Sequence, residues 1–395
     1  MKSLQSTRIE SIDILRGLVM VIMALDHVRD YYHINAFFDN YPENLESTNF
    51  ALFGTRFITH FCAPVFIFLA GTSAFLYGQK KSKAQLSKFL ITRGLWLIFV
   101  EIFINNFLWW FDISFGFTNL QVIWAIGICM IALGLLIYLP KRVILALGLF
   151  IIIGHNTLDG FVREGESIGS IIWYFLHQSN GFALGNNRYI WFSYPVLPWI
   201  GVISLGYCFG QLYKKEISLK VRRKWLLYCG FTAIVLFLIL RGFNVYGDLV
   251  PWAYQESTEK TIISFFNATK YPPSLIFILM TLGPALLFLY FIENIKTKIT
   301  NFLLVFGRVP FFYYILHIFV IHIGAFIGLL LTGRDWKLMI LNNETMSTGA
   351  LKGYGYSLFT VYIIWIIIVL ILYPICKKYM IYKLNNKDKW WLSYL

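Results

Sequence analysis

At 395 residues, 58% hydrophobic, 19% aromatic and only 14% charged, the chain is too apolar for a soluble domain and reads as a polytopic membrane protein. The net charge of +14 does not point to nucleic acid, because the lysines and arginines cluster between apolar spans, as the positive-inside bias requires. The five cysteines are scattered without a CxxC pair, so they give neither a disulfide framework nor a metal site.

Apolar runs of spanning length recur along the chain. The polar N-terminus MKSLQSTRIESID does not read as a cleavable signal, so the first helix is expected to stay as an anchor. That first span runs from about Ile14 to Tyr32 and is followed by a loop with Asp39, Glu43 and Glu46. The second runs from about Phe57 to Tyr77, followed by the lysine-rich QKKSKAQLSK. The third covers about Gly94–Phe111 and the fourth about Leu120–Leu139. A fifth, Val143–Ile153, is short, and either a hairpin with the fourth or a partly re-entrant path fits it. IIWYFLHQ then reads as an interfacial or re-entrant helix with Trp173 and Tyr174 at headgroup level. The sixth span covers about Tyr189–Tyr213 and precedes KKEISLKVRRK, the most basic loop. The seventh covers about Trp225–Phe243 and the eighth Leu275–Ile292. The ninth covers Phe302–Leu331, with Pro310 kinking or breaking it, and the tenth Leu358–Ile375. The expectation is an all-α bundle of about ten transmembrane helices in a single domain over 1–395, with a basic tail at 377–395. The loops after spans two, four and six and the tail are basic, whereas those after one, five and seven are acidic. Both termini are therefore expected in the cytoplasm.

This orientation sorts the polar residues by depth. Arg16 and His27 are eleven helical steps apart, which places them about 20° apart in direction and about 16 Å apart in height. Arg16 falls near the cytoplasmic face, and Asp26, His27 and Asp30 fall in the outer half. Charge within a membrane helix is costly, so a functional site is the default reading; the bland alternative is that these groups only mark the two interfaces. Arg93 joins Arg16 at the inner side, where an anionic donor would dock. His27 is the candidate acid/base, and a carboxylate beside it would fix its tautomer. Asp30, on the same helix face, suits that role better than the adjacent Asp26, which has Arg29 at the same spacing.

His60, four residues before Pro64, is a second acid/base candidate. The alternative is a buried histidine satisfied by the carbonyl that the proline leaves unpaired. Arg56, Glu101, Asn105, Arg241 and His317 are candidate acceptor-binding groups. His317 and His322 diverge by about 140°, which is poor for one shared metal, and no HExxH or nucleotide-binding glycine loop occurs. His155 and His177 read equally as interfacial residues, and no metal is expected. The aromatics, Phe37 and Tyr41 among them, read as packing or lipid-facing groups.

The opening RIESIDILRGLVMVIMALDHVRDYYH and the stretch FGTRFITHFCAPVFIFLAGTSAF resemble the catalytic-domain family of heparan-α-glucosaminide N-acetyltransferase, particularly its bacterial members. So do VIWAIGICMIALG, SYPVLPWIGVISLGYCFG, NATKYPPSLIFILMTLGPALL and FGRVPFFYYILHIFVIH. Arg16 and His27 are also similar to the arginine–histidine pattern of the wider acyltransferase-3 group. The resemblance implies transfer of an acyl group, usually acetyl, from cytoplasmic acetyl-CoA or another acyl-CoA to an acceptor across the membrane. It implies an acid/base or acyl-relay role for His27 and a CoA-side place for Arg16. The sequence departs from the human-type enzyme, which has an asparagine at the position of Asp26 and its histidine in the following loop, where His33 is the nearest candidate here. The expected partners are membrane lipid, acyl-CoA and a sugar, glycan or lipid-linked acceptor, with a homodimer allowed and a bacterial inner membrane as the location. The competing reading is a proton-coupled transporter or flippase in which Asp26, His27, His60 and Glu101 relay protons.

Overall fold

The computed structural model describes residues 9–34, 36–37 and 42–393. The expectations placed on residues 1–8, Asp39, Tyr41 and the last two residues of the basic tail lie outside the described residues. The described residues are 69% helical. Among the described residues, six helices are long and apolar enough to cross a membrane: Phe50–Gly78, Lys141–Leu158, Leu219–Phe243, Leu275–Ile292, Pro310–Leu331 and Leu358–Asn385.

Helix α1 (Glu10–Tyr32) is continuous, so Arg16 and His27 do share one helix. Within Phe50–Gly78, the second expected span is interrupted by a turn at His60 and Phe61 that divides it into α2 (Phe50–Thr59) and α3 (Cys62–Gly78). Pro64 explains the break, because it has no N–H to offer the His60 carbonyl. Helix α4 (Lys83–Phe99) starts well before Gly94, since Ser82 and Gln85 form a capping box that draws the lysine-rich stretch into the helix. It continues through a π-helical turn, Val100–Asn105, into α5 (Asn106–Trp110). Helix α6 (Val122–Leu136) and helix α7 (Lys141–Gly154) are separate, and a 3₁₀ turn, His155–Leu158, carries α7 to spanning length.

The mostly helical architecture matches the expected class, and to it the chain adds a three-stranded sheet that an all-α reading did not include. Strand β1 (Phe117–Leu120) pairs parallel with β3 (Arg188–Phe192), which pairs antiparallel with β2 (Gly181–Gly185). The sixth expected span therefore loses its first residues to β3. Gly185, Asn186 and Asn187 all take positive φ and turn the β2–β3 hairpin, and Pro195 and Pro198 delay the helix until α9 (Leu197–Phe209). Between α7 and β2 lies α8 (Ile168–Leu176), a helix in the stretch read as interfacial or re-entrant.

Helix α10 (Leu219–Phe243), capped by Ser218, takes up most of the basic loop before it. A long loop with the short α11 (Thr258–Phe266) leads to α12 (Leu275–Ile292), whose limits match the sequence reading. Pro310 breaks the ninth span into α13 (Lys298–Arg308) and α14 (Pro310–Leu331), with proline at the first helical position. After α15 (Asn343–Thr348), α16 (Leu358–Asn385) runs beyond the expected end at Ile375 into the basic tail.

Paired glycines set several helix crossings, and two of them involve α1 and α3. A Cβ on Gly17 or Gly307 would collide with the carbonyl of Leu303 or Asp13, so α1 and α13 pack backbone to backbone. Gly71 and Gly206 meet the carbonyls of Ile203 and Phe68 in the same way and bring α3 against α9. These contacts hold α1 at the centre of the bundle, packed by α2, α3, α12, α13, α14 and α16.

Candidate active site

Two cavities border α1, and their chemistry differs. The first, of about 590 Å³, is lined by Arg16, Arg93, Arg308 and Lys383, with Asp13 as its acid. Arg16 donates to Asp13 at 2.7 Å, to Ser73 Oγ at 2.9 Å and to the Gly307 carbonyl at 3.3 Å. Arg308 reaches Glu10 at 3.6 Å. The cations outnumber the acids on this wall, so it favours an anionic ligand. Arg16 and Arg93 are thus brought together; Arg308 and Lys383 were missed because they come from the ends of α13 and α16, far away in the chain.

The second cavity, of about 900 Å³, is lined by Asp26, His27, Asp30, Arg56, His60, Glu43 and Lys270, among others. It touches the basic cavity at Phe66, Val122 and Tyr314, which line both. Asn105 holds the partition residue Tyr314 by donating to its hydroxyl at 3.3 Å and to Glu101 at 2.8 Å.

His27 does not bond Asp30. Its Nδ1 lies 2.8 Å from Nε2 of His317, and His317 Nδ1 lies 3.0 Å from the Tyr313 carbonyl. A carbonyl only accepts, so His317 carries its proton on Nδ1 and presents a lone pair at Nε2. His27 then donates from Nδ1, and its own lone pair is on Nε2. Trp109 packs edge-on against the His27 ring at 4.9 Å between centroids. Asp30 turns instead to Arg29 at 2.6 Å, because an adjacent guanidinium is a stronger partner than a neutral ring. This corrects the sequence assignment of His27's partner. Asp26 does pair Arg29, at 3.0 Å, and also takes Arg56 at 2.7 Å; Arg56 in turn grips Glu43.

Glu43 lies in the loop outside the spans. Burial opposes its ionisation, yet Arg56, then His60 and Arg29, hold its carboxyl at about 2. His60 is fully buried, and neither ring nitrogen has a hydrogen-bond partner among the described residues. The carbonyl freed by Pro64 therefore does not satisfy it. Lys270, also buried, stands 5.0 Å from the Tyr271 ring centroid. It was missed in the sequence, where Lys260 and Lys270 share a loop with Asp248, Glu256 and Glu259 and nothing sets Lys270 apart.

Besides His317, which stands behind His27, three sequence candidates lie off the cavity surfaces. Glu101 is buried and accepts the Trp124 N–H at 3.0 Å, which caps the start of α6 from outside that helix. Asn105 acts through Tyr314, as above. Arg241 is buried and donates to the carbonyls of Val250, Ser264, Phe265 and Asn267, all at 2.9 to 3.0 Å. It shapes the loop that carries Asn267 and Lys270 to the histidine cavity. The two ring nitrogens of His322 lie 2.8 Å from the carbonyls of Leu108 and Met339, and the neutral ring donates to one of them.

The sheet forms another wall. Phe117, Asn119 and Trp191 face the histidine cavity, whereas Thr118, Leu120, Ile190 and Phe192 face a third, largely apolar cavity of about 880 Å³. The two-residue period of a strand produces this division over β1 and over Ile190–Phe192, whereas Tyr189 lines the apolar cavity beside Ile190.

Fold and site together define a helical membrane protein in which a basic cavity and a histidine-bearing cavity meet inside the bundle. Residues 8–241 match the family described as heparan-alpha-glucosaminide N-acetyltransferase, catalytic, and the chain belongs to that family. Membership implies a transmembrane acetyltransferase-like function. Comparison with the curated proteins finds no match. The matched stretch holds Arg16, His27, Arg56, His60 and Arg93, while Lys270, Tyr314 and His317 come from beyond it.

Proposed function

We propose that the protein transfers an acyl group, most simply acetyl, from cytoplasmic acyl-CoA to a sugar, glycan or lipid-linked acceptor on the other side of the membrane. The observation that supports this reading is the contact of the two cavities at Phe66, Val122 and Tyr314. The phosphates of CoA would lie against Arg16, Arg93, Arg308 and Lys383. The pantetheine arm would thread toward His27, a rise of about 16 Å along α1 from Arg16. The acceptor's hydroxyl or amine would attack the thioester carbon as His27 Nε2 takes its proton. A C–O or C–N bond forms, the C–S bond breaks, and the proton passes to the departing thiolate. His317 orients His27 through the ring-to-ring hydrogen bond and shares the charge of its imidazolium. Asp26 and Arg56 brace the wall beside it, with His60 and Lys270 facing the acceptor. The whole chain acts as one membrane-embedded domain of about ten spans in a bacterial inner membrane, with both termini cytoplasmic.

Purified protein incubated with labelled acetyl-CoA and a panel of amino sugars and glycans should release CoA, and His27→Ala should not. Absence of release with every acceptor, together with solute uptake in proteoliposomes, would establish the transporter reading instead.

A further inference from the structure

A separate cluster lies beyond both cavities, at the end of α7. His155 opens the 3₁₀ turn there, Asp159 closes it, and His177 follows the last residue of α8. His155 Nδ1 is 3.2 Å from His177 Nε2, and His177 Nε2 is 3.6 Å from Asp159 Oδ1. All three donor atoms lie within 4.8 Å of one another. Around a tetrahedral ion with metal–nitrogen distances of about 2.0–2.1 Å, neighbouring donors stand about 3.3–3.4 Å apart. Two of the contacts here are close to that spacing before any ion is considered.

The surroundings fix these donors. Asn156 Nδ2 donates to Asp159 Oδ2 at 2.7 Å, which turns Oδ1 toward His177, and Asn156 Oδ1 accepts the Leu275 N–H at 2.9 Å. Trp173 stacks on the His177 ring, with centroids 5.2 Å apart, and its indole N–H donates to the Phe161 carbonyl at 2.7 Å. Both imidazoles are buried, and His155 Nε2 has no hydrogen-bond partner among the described residues. A ring-to-ring hydrogen bond alone leaves Asp159 Oδ1 at 3.6 Å, too long for a second bond. A cation engages all three groups at once.

We propose that His155, Asp159 and His177 form a site for a borderline divalent cation of the Zn²⁺ type, with water as its fourth ligand. Two imidazoles and a carboxylate suit such an ion. The site ties the end of α7 to the end of α8 and, through Asn156, to the start of α12. Ser179, two residues past His177, lines the histidine cavity, so the ion steadies that wall without entering the chemistry.

Full-length protein in detergent, stripped with a chelator, tests this with Co²⁺ and then Zn²⁺. One equivalent of Co²⁺ should give the visible absorption of a low-coordinate site, and Zn²⁺ should displace it and raise the melting temperature. His177→Gln and Asp159→Asn should each weaken uptake by about tenfold or more. Should these variants fail to fold, zinc-edge absorption on the wild-type protein decides, with scattering from two imidazoles expected. Failure of the wild type to take up one equivalent, or a zinc edge without imidazole scattering, overturns the site. So does unchanged affinity in the folded double variant His155→Gln/His177→Gln, and none of these results bears on acyl transfer.

Discussion

His27 Nδ1 and His317 Nε2 are 2.8 Å apart, joining side chains separated by 290 positions in the chain. Because His317 spends its own N–H on the Tyr313 carbonyl, the pair has one consistent protonation pattern, with the His27 lone pair on Nε2. His27→Ala should lower kcat by about 10²–10⁴. His317→Gln should lower it by about 10–100, with both KM values nearly unchanged, since the residue positions another. Initial rates of labelled acetyl transfer check both, and a fully active His317→Gln would remove the relay.

Arg93→Gln should raise the KM for acyl-CoA by about tenfold while leaving that for the acceptor unchanged, as a charge-assisted phosphate contact predicts. The affinity should also fall with added salt, more steeply in the wild type than in the variant. Equal losses for both substrates would count against a donor role for the basic cavity.

Glu43 supplies a pH signature. Its folded pKa, about 2, lies below that of an ordinary carboxyl, so the stability gained from Arg56 is complete above the unfolded value. It is lost as pH falls from about 4 toward 2, when the folded carboxyl takes up its proton. The difference in melting temperature between wild type and Glu43→Gln should therefore be constant from pH 7 to about 5 and shrink below about 4. Thermal melts across that range measure it.

Gly71→Ala should destabilise the protein by about 1–3 kcal/mol, because the new methyl meets the Ile203 backbone carbonyl and not a movable side chain. Gly54→Ala is the contrast, for a Cβ there has no neighbour within 4 Å. It should be neutral or raise stability by up to about 1 kcal/mol through helix propensity. Thermal unfolding in detergent compares the two.

The membrane class, the limits of α12 and the break at Pro310 were legible because long apolar runs and prolines act locally. The sheet was not, since the residues of β3 continue an apolar run toward Pro195, and the turn at Gly185–Asn187 resembles any polar loop. His27 and Arg16 stood out on one helix, whereas the partner of His27 lies on α14. Asp30, the neighbour on the right face, is held by Arg29 instead. Glu101 drew attention as a buried acid; its use, capping α6, depends on which helix start is packed beside it. The cluster around His177 left only the four-residue spacing of His155 and Asp159 as a trace.

Arg241 binds four carbonyls spread from Val250 to Asn267 with a single buried guanidinium. Those bonds cannot be released one at a time without stranding a buried charge, so the segment should open as one cooperative unit. In hydrogen exchange, the amides of this segment would then share a single opening free energy. Access to the histidine cavity past Asn267 and Lys270 would be all-or-none, with no graded loosening of the wall.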